Sequence, residues 1–119
     1  MSGDQKTVGD FLKGKSEHTK ALFRHFVDTY QKMGTVTIRA TKTMIAIGGG
    51  KKAVYVTRLG KDFVDVTFPF DQPYNDNLCF MKIAQVPGTN QYNHHFRMMN
   101  KSDLNSEVKR FMKLTLIDH

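Results

Sequence analysis

The chain has one cysteine, three prolines and no tryptophan among its 119 residues. A single cysteine, Cys79, can form no intrachain disulfide, which fits a reducing compartment. No apolar run approaches the ~20 residues that a membrane-spanning helix requires. The opening Met1-Ser2-Gly3-Asp4-Gln5-Lys6 has no apolar stretch behind its charges, so no secretory signal is expected. These absences lead to the expectation of a cytoplasmic protein with no membrane partner. The most informative lack is of acid. Between Thr29 and Lys61 there is no Asp or Glu, while Lys32, Arg39, Lys42, Lys51, Lys52, Arg58 and Lys61 all fall there. The rest of the chain balances eleven bases against eleven acids, so this window carries the whole net charge of +7. A surplus of that sign favours anionic partners such as nucleic acid or phosphorylated ligands.

What is present fits one folded domain. A chain this long buries roughly two-thirds of the surface it exposes when unfolded. A 39% hydrophobic and 11% aromatic composition is that of a packed chain, so neither metal nor disulfide is needed to hold it. Residues 1–15 read as an N-terminal arm. Within it, Thr7-Val8-Gly9-Asp10 has the form of a capping box and Phe11-Leu12 can pin the arm to a core. Residues 16–119 read as a single α+β domain. Ser16 stands as an N-cap, and Leu22, Phe26, Thr29, Tyr30 and Met33 recur at helical spacing up to a left-handed stop at Gly34.

The period then changes to two. Val36, Ile38 and Ala40 alternate with Thr35, Thr37 and Arg39, and Met44–Ile47 follows as a second strand. Gly48-Gly49-Gly50-Lys51-Lys52 reads as a hairpin loop with Ala53–Thr57 returning. In Phe63–Phe70, Val64, Val66, Phe68 and Phe70 face one way, Asp65 and Thr67 the other. Phe80–Val86, a Pro87-Gly88-Thr89-Asn90 turn and Tyr92–Met99 complete the strands. Leu104, Val108, Phe111, Met112 and Thr115 then mark a last helix with Asp103 and Glu107 at its start. The short connections imply antiparallel pairing. The expected architecture is a five- to six-stranded antiparallel sheet with an N-terminal and a C-terminal helix on one face.

Several chemistries fail on spacing. Gly50-Lys51 lacks the distant glycine and the Ser/Thr of a phosphate loop, and a strand follows it, leaving at most a looser anion nest. His94 and His95 are adjacent in a strand and so point to opposite faces, where they cannot share a metal or a proton. His94 is expected to be structural and His95 to line the wet face. His18 and His25 have no carboxylate or cysteine at zinc-site spacing. The Asp/Glu-x-Lys pairs that a metal-dependent nuclease places beside a strand aspartate fall at Asp4-Gln5-Lys6 and Glu107-Val108-Lys109, neither on a strand. No cofactor or metal is implied. Cys79 reads as a quietly buried thiol.

The ordered pieces resemble a bacterial family known as domain of unknown function 5655. The resemblance rests on Phe11-Leu12-Lys13-Gly14-Lys15, Leu22-Phe23, Lys42-x-x-Ile45-x-Ile47 and Val64-Asp65-Val66-x-Phe68. It continues through His94-His95-Phe96-Arg97-Met98 and Ser102-Asp103-Leu104-Asn105-x-Glu107-Val108. Where that family tends to close its last helix on an Ala-Tyr pair, this chain runs Leu114-Thr115-Leu116-Ile117. The resemblance implies a compact α+β domain and brings no catalytic residues with it.

Arg39, Arg58 and Arg97 lie on three strands, and if these are neighbours their guanidinium groups could meet on one anion. The sequence thus points to a binding module using an open sheet face, with Arg39, Lys42, Arg58, His95 and Arg97 on it and Lys51 and Lys52 at its rim. A protein-interaction module or homodimer is a second reading. A metal-dependent hydrolase built on Asp62, Asp65 and His95 is a third, with less behind it.

Overall fold

Residues 7–49 and 52–117 are described in a computed structural model of the chain. Along the chain they form α1 (Val8–Leu12), α2 (Glu17–Met33), β1 (Thr37–Ala40), β2 (Ile45–Gly48), β3 (Val54–Leu59) and β4 (Val64–Phe70). β5 (Lys82–Gln85), β6 (Tyr92–Met98) and α3 (Ser106–Ile117) follow, with a 3₁₀ turn at Lys101–Asp103 before the last helix. The fold is α+β, as expected, with six strands in one antiparallel sheet of order β1-β2-β3-β4-β6-β5.

Local chemistry fixes the helix ends. Thr7 accepts from Asp10 N while the Asp10 carboxylate accepts from Thr7 N at 2.9 Å, the reciprocal capping box expected of α1. Val8, Phe11 and Leu12 pack half-buried against the core, which anchors α1. Ser16 caps α2 by accepting from Thr19 N at 3.1 Å. Its hydroxyl also reaches the Lys61 carbonyl at 2.7 Å, and the buried Thr19 donates to the Gly60 carbonyl at 2.7 Å. The start of α2 is thereby clamped to the turn between β3 and β4.

Two expectations are corrected here. Gly34 does end α2, but at φ 174° it is extended and not left-handed, and the chain leaves straight toward β1. Asp103 does not open α3. It sits in the 3₁₀ turn, where its carboxylate accepts from Met99 N and Asn100 N at 2.8 and 2.9 Å, and Asn105 takes over as cap by accepting from Val108 N at 3.0 Å. The Pro87-Gly88 turn has the geometry its residues require: Gly88 is at φ 77° and Thr89 N donates to the Val86 carbonyl at 3.1 Å, a type II arrangement. The glycine hairpin lies partly outside the described residues, at Gly50 and Lys51, but β2 and β3 pair as its two arms.

Val64, Val66, Phe68 and Phe70 are buried on one face of β4. Phe26 of α2 meets Phe68 with ring centroids 6.3 Å apart, and Phe111 of α3 meets Phe70 at 5.6 Å, so both helices reach the same side of that strand. The helices are also joined directly. The Tyr30 hydroxyl lies 2.6 Å from Thr115 Oγ1, and Thr115 donates in turn to the Met112 carbonyl at 2.6 Å, leaving Tyr30 as the donor of the first bond. β4 and β5 run parallel to each other with β6 between them, so residues 71–81 must cross over β6. Tyr74 and Phe80 of this crossover pack on Phe111 at 5.0 and 4.8 Å, which places it on the helix side. No helix among the described residues is long and apolar enough to cross a membrane.

Tyr30→Phe is expected to cost about 1 kcal/mol, the net worth of a buried neutral hydrogen bond. Denaturant titration should show a lower midpoint at unchanged slope. Thr115→Val should cost less in that background than alone, because the bond it removes is then already half lost.

Candidate binding groove on the open sheet face

Strand register decides what the other face presents. Arg39, Ala46, Tyr55, Thr67, His95 and Lys82 are cross-strand partners in one unbroken row over all six strands. A β-bulge between Val56 and Arg58 shifts the next row, where Asp65 stands between Arg58 and Arg97. Across β3, β4 and β6 the surface sinks into a groove of ≈ 560 Å³ whose polar lining is Lys52, Tyr55, Thr57, Thr67, Gln91, Asn93 and His95. Thr67 and Pro69 are buried although they face this side, and they form its floor.

The groove's polar groups are partly organised among themselves. Thr67 Oγ1 lies 3.2 Å from His95 Nδ1, and Gln91 Nε2 donates to Asn93 Oδ1 at 3.0 Å. Partial burial, reinforced by Lys82 across the strand pair, lowers the His95 pKa, with Asp65 acting the other way. A neutral imidazole at pH 7 follows, one nitrogen donating and the other accepting. Lys52 reaches Asp71 at 2.7 Å, but both are exposed and the pair holds neither firmly.

The basic residues expected to gather here are distributed instead. Arg97 forms a two-pronged bond with Asp65, Nε to Oδ1 at 2.8 Å and Nη2 to Oδ2 at 3.0 Å, and its Cζ lies 3.9 Å from the centroid of Phe63. Arg58 lies over the same ring at 5.4 Å and lines a different cleft, beside the N-terminal arm. Arg39 lines a third hollow with Thr37 and Gly48. Lys42 is exposed in the connection between β1 and β2, and Lys51 lies outside the described residues. Of the seven expected residues, Lys52 and His95 share the groove.

Tyr55, Thr67, Gln91 and Asn93 were not read as site residues from the sequence. The period of two places Thr67 and His95 outward, but their alignment with Tyr55 depends on register, which single-strand patterns do not carry.

His94 has a different role. It is fully buried, with Nδ1 donating to the Tyr92 carbonyl at 2.9 Å and Nε2 accepting from Tyr74 N at 3.1 Å. Those two bonds require the neutral ring and fasten the crossover to the strand it passes over. Burial lowers its pKa. Burial, with Glu107 beside it, pushes the Cys79 thiol up to about 12, so it is protonated at neutral pH. Among the described residues no three His, Cys, Asp or Glu side chains group as metal ligands do.

The sequence profile of a family described as a domain of unknown function, DUF5655, matches residues 8–114. The chain belongs to the DUF5655 family. Comparison with curated proteins and with solved structures gave no match. The matched stretch begins at Val8, so α1 lies within the DUF5655 unit, and it ends at Leu114, within α3. In this DUF5655 domain the groove and the crossover both fall inside the match.

Two outcomes follow for these residues. His94 has a folded-state pKa below its unfolded value near 6.5, so the unfolded chain binds more protons and stability falls as pH drops below that value. Denaturant titrations at several pH values should show that loss, with His95 contributing in the same sense, and His94→Gln should flatten it. At Gly60, an added Cβ would come within 2.3 Å of the Phe63 ring. Gly60→Ala should therefore cost about 1–3 kcal/mol, and measurably less in a Phe63→Ala background.

Proposed function

We propose that the domain is a non-enzymatic binding module whose open-face groove takes a small phosphorylated ligand. The observation that carries this reading is the groove itself. Its volume of ≈ 560 Å³ lies in the range of small-molecule sites, and it joins a polar wall to the apolar surfaces of Met44, Ala53 and Pro69. Thr67, Asn93 and His95 offer hydrogen bonds, Tyr55 an aromatic face and Lys52 a cation. The local charge favours an anion. Arg39, Lys52, Lys82 and Arg97 stand on or beside the face against Asp65 and Asp71; Arg97 is committed to Asp65 and Lys52 loosely to Asp71, and Arg39 and Lys82 have no ion pair among the described residues.

A small ligand is favoured over a polymer because, among the described residues, the basic side chains occupy separate hollows and form no continuous stripe along which a nucleic-acid backbone could run. Binding is favoured over catalysis by the commitments of the reactive groups: His94 holds the crossover, Asp65 holds Arg97 and Cys79 is a protonated thiol.

Titration with adenosine monophosphate at low salt tests the reading. Amide shifts are expected at Lys52, Tyr55, Thr67, Asn93 and His95, and Lys52→Ala or His95→Ala should weaken binding roughly tenfold, as loss of a hydrogen bond to a charged group does. Much tighter binding of mixed-sequence single-stranded DNA, steeply weakened by salt, would transfer the face to nucleic acid. A groove undisturbed by either probe would overturn the proposal.

A further inference from the structure

A second concavity carries more uncompensated charge than the groove. Between α1 and β3, a cleft of ≈ 240 Å³ is lined by Lys13, Lys15 and Arg58, with Thr43 and Thr57 in its wall. The three cations come from two separate parts of the chain. Lys13 caps the end of α1, and Gly14, at φ 79°, turns the chain so that Lys15 lines the same cleft. Arg58 follows the β-bulge in β3, and its guanidinium rests over the Phe63 ring. Among the described residues none of the three forms an ion pair. One carboxylate shares the cleft, that of Asp10, and it is occupied in the capping box with Thr7 N. The fold therefore brings three positive side chains to one small space against a single carboxylate.

We propose that this cleft is an anion site that takes a phosphate dianion, free or as a monoester. The chemistry suits that group. A guanidinium steadied by an aromatic face presents a planar fork to two phosphate oxygens, while two ammonium groups act as point charges on the others. The threonine hydroxyls add neutral donors. Occupancy removes the repulsion between the arm and β3, so the anion also secures α1, which has no fully buried residue of its own. The site is independent of the open-face groove. Thr57 borders both, but no cation is shared.

The test uses the full chain at low salt, with inorganic phosphate and O-phosphoserine as probes. Saturable binding is expected, with amide shifts at Lys13, Lys15 and Arg58. Hydrogen exchange should slow at Lys13 N and Lys15 N, which bond to the Gly9 and Leu12 carbonyls at 3.0 and 3.1 Å. Lys13→Ala, Lys15→Ala and Arg58→Gln should each weaken binding by roughly tenfold, the loss expected for a charge-assisted contact. Lys109→Ala on the exposed side of α3 should leave it unchanged. The two lysine variants alter exposed side chains, so a folding defect cannot mimic their effect. Tighter binding of the ester than of the free ion would assign the cleft to monoesters, and the reverse order to inorganic phosphate. Equal weakening by Lys109→Ala would reduce the effect to general charge attraction and overturn the proposal. So would shifts confined to Thr67 and His95, which would give the anion to the groove, or the absence of saturation.

Discussion

The Phe68 ring contacts Phe26 of α2 at 6.3 Å, Phe80 of the crossover at 6.1 Å and Phe96 of β6 at 6.4 Å, and it stacks beside Phe70 of its own strand at 6.3 Å. These contacts draw helix, crossover and neighbouring strand onto one face of β4, where non-directional apolar burial supplies the main stabilisation. The directional bonds work at the margins of that core. Thr19 and Ser16 fasten α2 to the β3–β4 turn, Tyr30 joins α2 to α3, and His94 ties the crossover to β6. Each pairs a polar group that burial would otherwise leave unsatisfied.

With the helices drawn to one side, the opposite side of the sheet is left for solvent, and its chemistry follows from the same register. Asp65 takes Arg97 out of circulation, and the bulge carries Arg58 to the arm cleft. What remains over β3, β4 and β6 is a groove of hydrogen-bonding groups with modest positive charge. A surplus that looks concentrated along the chain is thus divided in space.

The helices and strands were legible because their signals are local. Ser16, the 3.6-residue stripe through Tyr30 and the alternation in β4 each report on a few neighbouring residues, and α2 spans the expected Glu17–Met33. Boundaries governed by hydrogen bonds from outside the element were not, as Asp103 shows: its carboxylate serves the strand end, and Asn105 becomes the cap. The family resemblance was readable from short core-patterned pieces spread over most of the chain. That the basic residues do not gather on one surface has a physical reason. Which face a residue occupies follows from the period, but which residues become neighbours follows from register, the Thr57 bulge and the insertion of β6 between β4 and β5. A basic window in sequence carries none of these.

That insertion also bears on the chain as it is made. Everything up to Phe70 pairs with strands already synthesised, so α2 and the meander of β1 to β4 can assemble as they emerge. β4 then presents an unpaired edge, beside its apolar face, until the far side of the β5–β6 hairpin has left the ribosome and Met98 can settle opposite Val64. For that interval the nascent domain exposes the kind of open strand that recruits other chains. Closing it early is the service that a tight Pro87-Gly88 turn performs.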